Sequence, residues 1–370
     1  MSIDKKYTVL LVTDGLGLAG AERQLFLTAT NLSAQWRVVV WTLHDGHYRE
    51  KLEEENIRVI ISPGEGSVHQ AIRSLFCTSS NVKPDLIHVW GSASILLVYI
   101  LFKCKIPILN GTIRRSNLPS GWINQLRTRI SSRIGDLILS NSAAGIYAHG
   151  LSDLAHVVIH NGFSWDSIHT ANPVEMDAKK TNIVMCANIK PEKDYALLVK
   201  VANLALDRSG NSMPYKFWCI GNIVDKAYYD QIYKEAERLL NTGAMVFTGT
   251  SDSPADYLAS ADIGVLLTNP EYHAEGISNS IMEYMAASLP VICSDSGGNT
   301  ELVWSGNTGF ILKGEDVSEI LSRMETLRLD SELAHSMGAK GRERILKDFS
   351  LENMIAEMES VYVKVINRRE

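Results

Sequence analysis

Short runs that are apolar at almost every residue recur along the chain, each followed by a polar or glycine-rich turn and then by residues at helical spacing. The first is Tyr7-Thr-Val-Leu-Leu-Val12, which leads through Asp14-Gly-Leu-Gly-Leu-Ala-Gly-Ala-Glu22 into Arg23-Gln-Leu-Phe-Leu-Thr-Ala-Thr-Asn-Leu32. A run with no polar side has no face to offer water, so it fits a strand covered on both sides by helices. Similar runs at 37–43, 57–61, 86–90, 106–109, 137–140 and 157–159 continue the alternation. The pattern predicts an α/β fold with a doubly wound parallel sheet, whose ligands lie beyond the carboxyl ends of the strands. After a polar, turn-rich stretch at 164–180 the pattern restarts with Thr181-Asn-Ile-Val-Met-Cys-Ala187. A chain of 370 residues exceeds one ordinary core. Two domains are therefore expected, 1–165 and 172–345, followed by an amphipathic helix at about 350–370.

A formal charge of -6 gives no general reason to expect nucleic-acid binding, so any basic surface has to be local. The five cysteines, Cys77, Cys104, Cys186, Cys219 and Cys293, are scattered and odd in number, and none forms a Cys-x-x-Cys pair. They read as buried apolar residues of a reducing compartment. Met1-Ser-Ile-Asp-Lys-Lys6 lacks the apolar core of a secretory leader. The apolar stretch at 95–102 falls far short of the roughly 20 residues needed to span a bilayer. A cytoplasmic location, with peripheral contact to the inner face of an anionic membrane left open, is the expectation.

The chemistry concentrates in the second half. Glu275-Gly-Ile-Ser-Asn-Ser-Ile-Met-Glu283 places two carboxylates on either side of a helix start, with Ser278 or Asn279 as N-cap. The exposed N–H groups of such a start suit an anion, typically phosphate. A second strand, loop and helix unit holds Asn188-Ile-Lys-Pro-Glu-Lys193 between an apolar run and a helix. A lone loop lysine is usually solvated, and the same holds for each glutamate alone. Found together, Lys193 and the glutamate pair point to a diphosphate ligand. No Asp-x-Asp occurs in the sequence, so the usual carboxylate pair for a metal-bound diphosphate is missing. Two carboxylates could also serve a glycoside hydrolase, which has no need of the lysine loop.

With Ala286-Ala-Ser-Leu-Pro-Val-Ile-Cys-Ser-Asp-Ser-Gly-Gly-Asn-Thr-Glu301 and Asn307-Thr-Gly-Phe-Ile-Leu312 following in order, these residues resemble the retaining glycosyltransferases of family 4. The resemblance covers nearly the whole chain, strongly from 183 to 310. It implies the GT-B fold, two Rossmann-like domains facing a cleft, with the first binding acceptor, the second binding nucleotide sugar, and the terminal helix crossing back to the first. It implies that Lys193 grips the donor diphosphate, Glu275 lies near the donor sugar and Glu283 holds the ribose. The Arg that commonly partners that lysine is replaced by Asn188, a loss that Lys190 could offset. Gly20, Gly221, Thr250 and the backbone of Gly276, Ile277, Ser278, Asn279 and Ser280 complete the implied donor site. Where many members carry a sugar-contacting histidine, this chain has Arg114 and Arg115, candidates for the acceptor or plain loop arginines.

The function implied is metal-independent transfer of a sugar from a UDP- or GDP-sugar to a hydroxyl acceptor, a glycan or lipid-linked intermediate of surface polysaccharide assembly, with no cofactor. A nucleotide-sugar epimerase of the same architecture and a non-catalytic nucleotide-sugar binding protein are the alternatives. Two further features stay open. His88 lies inside a strand and reads as a packed histidine rather than a catalytic one. Ile123, Leu126, Ile130 and Ile134 recur at helical spacing beside Arg127, Arg129 and Arg133. That helix reads first as core-packed with a solvated basic face, and second as a contact for anionic lipid or a lipid-diphosphate acceptor.

Overall fold

In a computed structural model, residues 7–63, 67–102, 105–118 and 121–368 are described. Met1-Ser-Ile-Asp-Lys-Lys6, Cys104 and the last two residues of the expected terminal helix lie outside them. The chain divides into two compact units, Met1–Gly162 with Leu351–Glu370, and Phe163–Ser350.

The strands of the first unit are β1 Tyr7–Thr13, β2 Trp36–Thr42, β3 Arg58–Ile61, β4 Leu86–Val89, β5 Ile108–Ile113, β6 Leu137–Ser140 and β7 His156–Val158. Those of the second are β8 Thr181–Cys186, β9 Tyr215–Ile220, β10 Met245–Gly249, β11 Ile263–Leu266, β12 Val291–Ser294 and β13 Gly309–Leu312. Among the described residues the first unit forms a seven-stranded sheet ordered β3-β2-β1-β4-β5-β6-β7, and the second a six-stranded sheet ordered β10-β9-β8-β11-β12-β13. The pairings are parallel throughout. The reason is visible in the residues: Val9, Leu10, Leu11 and Val12 are all fully buried, on both faces of the sheet. Each order reverses once, between β1 and β4 and between β8 and β11, and in doubly wound sheets ligands collect beyond the strand ends at that reversal.

The terminal helix Leu351–Asn367 belongs to the first unit. Met354, Met358, Val361, Tyr362 and Val365 form the stripe it lays into a core shared with Val9, Leu11 and Leu109. His88, in the middle of β4, is fully buried, and its Nδ1 lies 2.8 Å from the Tyr362 hydroxyl of that helix. Burial drives its pKa well below the usual histidine value, with the nearby Arg114 charge adding to the effect. The packed reading of this histidine is the one the structure bears out.

Two expectations fail. Cys77 is exposed on helix Val68–Val82, whereas Cys186, Cys219 and Cys293 are buried as expected. The basic helix, Trp122–Ser131, does not pack its apolar residues into the core. Ile123, Leu126 and Ile130 are exposed and only Ser131 of the helix is buried, while Ile134 is buried just beyond its end. The side chains turned away from solvent are Gln125, Thr128 and Ser131 instead, and Asn110 holds the helix end, donating from Nδ2 to the carbonyls of Ser131 and Ile134 at 2.9 and 2.7 Å. The apolar stripe is thereby turned outward.

Candidate active site

In the second unit, the loops that follow β8 and β11 carry the residues with chemistry, at the reversal of strand order. After β8 the chain runs through Asn188 and Lys190 to Lys193, where the Lys193 N–H closes a turn onto the Lys190 carbonyl at 3.0 Å. Asp194 then caps the helix Tyr195–Ser209, accepting from the Leu197 N–H at 3.0 Å. A bridge to Thr268 and a bond from the Asp194 N–H to the Leu267 carbonyl, 3.1 Å, lash this loop to the one after β11. Lysine and glutamate, 82 residues apart in sequence, are thus brought together.

The Lys193 ammonium donates to Glu275 Oε1 in an ion pair that is largely buried on both sides. Thr268 Oγ1 donates to the same oxygen at 3.2 Å, and His273 Nε2 lies 3.2 Å from Glu275 Oε2. The Glu275 N–H donates to Ser296 Oγ at 3.1 Å, and the Gly298 N–H to the Glu275 carbonyl at 3.0 Å. Burial pushes the Glu275 carboxyl up, but Lys193 and His273 outweigh it and hold it far below the usual carboxylate range. Both glycines of the Gly297-Gly298 turn are required: Gly297 has φ +51°, and a Cβ on Gly298 would lie 2.4 Å from the Gly276 carbonyl oxygen.

Beyond Gly276 and Ile277, Ser278 caps the helix Asn279–Ala286. Ser280 Oγ donates to the Cys186 carbonyl at 2.7 Å, and the Cys186 N–H donates to the Tyr284 hydroxyl at 2.6 Å. These two bonds fix the helix start against the end of β8. Glu283 stands one turn in, half-buried and close enough to Cys186 to raise that thiol further, after burial. Gly221 abuts the same strand end, since a Cβ there would lie 1.9 Å from the Ala187 carbonyl oxygen and 3.2 Å from the Asn188 nitrogen. Thr250 is exposed, 3.5 Å from Asn222 Oδ1, and joins the cluster only at its margin. Lys190 is engaged by Glu192 at 3.5 Å. His273 and Thr268 escaped sequence reasoning, since both stand in the loop after β11, outside any periodic element.

The corresponding strand ends of the first unit are furnished differently. Gly20 is not in the loop after β1, where it was expected; it opens the helix Gly20–Asn31, because that loop already ends at the N-cap Ala19. Asp14 accepts from the N–H groups of Ala93 and Ser94 at 2.9 Å each, holding the start of helix Ser94–Phe102. Arg114 lies over the Trp90 ring at 3.9 Å, donates to the Gly111 carbonyl at 2.9 Å, and leaves Nη2 buried without a partner among the described residues. Arg115 is exposed. Burial raises the carboxyl of Glu22, whose Oε2 is also buried without a partner among the described residues. Glu22 joins Arg114 as a candidate that sequence reasoning did not single out.

Residues 169–344 match the family model described as glycosyl transferases group 1. That stretch of the chain is a glycosyl transferases group 1 domain. Among curated proteins, N-acetyl-alpha-D-glucosaminyl L-malate synthase of Bacillus anthracis is 29% identical over 122 residues, 33% of this chain and 31% of that protein. The capsular polysaccharide biosynthesis glycosyltransferase CapM of Staphylococcus aureus is 36% identical over 90 residues, 24% of each chain. The matched segments thus span about a third or less of these relatives. Anabaena HepE, solved in complex with UDP and glucose, is 18% identical with a TM-score of 0.82, covering 97% of this chain and 100% of its own. The fold is therefore of the GT-B type, two Rossmann-like units with the terminal helix on the first.

Proposed function

We propose that this chain is a retaining glycosyltransferase that moves a sugar from a UDP- or GDP-sugar to a hydroxyl acceptor. The observation that carries the reading is the convergence of Lys193, Glu275 and the start of helix Asn279–Ala286 at the β8/β11 strand ends. Its relatives support it: HepE holds UDP and glucose, and CapM takes part in capsular polysaccharide biosynthesis. A glycan or lipid-linked intermediate of surface polysaccharide assembly, met at the inner face of an anionic membrane, is the acceptor in this reading.

Breaking the bond between the anomeric carbon and the diphosphate leaves positive charge on the sugar and negative charge on the leaving group. Lys193 faces the second, together with the N–H groups near Ser280, without a metal ion. The diphosphate competes with Glu275 for the ammonium, so donor binding frees a carboxylate that His273 and Thr268 keep in place beside the sugar. Glu283 holds the ribose, with Asn188, Gly221 and Thr250 along the nucleotide. The acceptor oxygen bonds to the anomeric carbon, and its proton passes to the departing diphosphate. Arg114, Arg115 and Glu22 of the first unit are the acceptor-side groups.

The test is turnover of UDP- and GDP-sugars by the full chain, in EDTA, with and without lipid-linked and free glycan acceptors, read by nucleotide release and by NMR of the product anomer. The expected result is acceptor-dependent release with the donor anomer retained. Interconversion of the donor without acceptor would make the chain an epimerase, and binding without turnover a binding protein.

A further inference from the structure

The helix Trp122–Ser131 is built inside out for a helix on a soluble domain. Trp122, Ile123, Leu126 and Ile130 are exposed to 74%, 62%, 51% and 51%. At about 100° per residue these four side chains fall within an arc of about 100°, with Arg129 on one margin and Arg127 on the other. On the opposite side Gln125 and Thr128 are half-buried and Ser131 is buried, with Asn124 exposed between them. Neither Arg127 nor Arg129 forms an ion pair with a carboxylate among the described residues. Arg133, just past the helix, donates to the carbonyls of His149 and Gly150 at 3.4 and 3.2 Å, next to helix Ala143–Ala148, whose Tyr147 is also exposed. The surrounding sequence is one-sided in charge: residues 86–135 contain seven Lys and Arg and no Asp or Glu, in a chain of net charge -6.

We propose that this helix face docks the protein on an anionic phospholipid bilayer, lying in the plane of the interface. A flat apolar stripe carrying a tryptophan and edged by arginines matches that surface on both counts, since the stripe enters the acyl boundary while the guanidinium groups meet phosphate. The alternative occupant is a second copy of the chain. A two-fold contact through this face would set its arginine margins against those of the partner with no acid between them, which disfavours it. No described helix is long and apolar enough to cross a membrane, so the contact is of the surface kind. It gives the transferase proposed above its place of work and in that respect rests on that reading.

The experiment is flotation of the full chain with vesicles of 30% phosphatidylglycerol in phosphatidylcholine, against vesicles of phosphatidylcholine alone. The chain floats with the first and not with the second. The double variant Arg127→Glu/Arg129→Glu binds more than about tenfold more weakly, and Trp122→Ser/Leu126→Ser loses the fraction that survives high salt. Both variants keep the thermal midpoint and the nucleotide-induced shift of the parent, because the replaced side chains are exposed. No flotation with anionic vesicles, or flotation of both variants like the parent, overturns the proposal. So does a dimer in sedimentation that Leu126→Ser dissociates while vesicle binding stays unchanged. Vesicle binding without any nucleotide shift would leave the docking face standing and remove the transferase reading instead.

Discussion

The two sheets reverse their strand order at equivalent places, yet what stands beyond the strand ends differs in kind. In the first unit the carboxylate after β1, Asp14, is engaged by the N–H groups that open the helix after β4. The guanidinium that reaches the same end, Arg114, is laid on Trp90, and the histidine within β4 is sealed against Tyr362. In the second unit the charged groups after β8 and β11 engage one another, Lys193 with Glu275 and Glu275 with His273. Charge that fixes a helix is occupied for good, whereas charge held in a mutual pair is exchangeable with a ligand of the right sign. One topology thus supplies a scaffolding end and a reactive end, and the difference lies in a handful of loop residues.

The largest effects are expected where the reactive end is broken. Lys193→Ala removes the cation facing the leaving group and should lower kcat by on the order of 10² to 10³, measured as nucleotide release at saturating donor. Glu275→Gln should cut transfer to a similar degree while nucleotide binding is nearly spared; a variant with parental kcat would take Glu275 out of the chemistry. The same substitution sharpens the comparison in acid. Because Lys193 and His273 depress the Glu275 pKa below its unfolded value of about 4.3, the pair stabilises the fold fully above that value. That stability is lost as pH falls through and below it. Acid unfolding of Glu275→Gln should therefore lack part of the parental steepness below about pH 4.

At the scaffolding end the expected loss is of stability. Asp14→Ala leaves N–H groups at a helix start without their charged acceptor, at a cost of about 1–3 kcal/mol, with donor affinity unchanged in the folded fraction. A selective loss of nucleotide affinity there would erase the distinction between the two ends. Smallest of all, Arg115→Ala on the surface should alter acceptor KM less than Arg114→Ala, whose Nη2 is buried without a partner among the described residues; the reverse ranking would move the acceptor contact outward.

How far the sequence carried these conclusions depended on the kind of residue. Strands such as Tyr7–Thr13 and Thr181–Cys186 were readable because burial on both faces leaves neither face polar, and the N-cap at Ser278 was readable from local chemistry. The meeting of Lys193 with Glu275 was legible only through the resemblance, because two loops 82 residues apart share no local signal. His273 and Thr268 were missed because loops have no periodicity to test a residue against. The helix Trp122–Ser131 misled: its periodicity was real, but which face turns inward is decided by tertiary packing that no helical pattern contains. Cys77 misled for a like reason, since a cysteine is inside or outside according to the face of helix Val68–Val82 it occupies.

The central claim, a diphosphate held by Lys193 in the second unit, is tested most directly by thermal unfolding of the full chain and of Lys193→Ala with UDP, GDP, ADP and dTDP, each in EDTA and in magnesium. The account predicts that one nucleotide, at about 100 times its Kd, stabilises the parent by roughly 2.7 kcal/mol, equally in EDTA and in magnesium, and that the variant loses most of the shift. No shift with any nucleotide, or an equal shift in parent and variant, would contradict it.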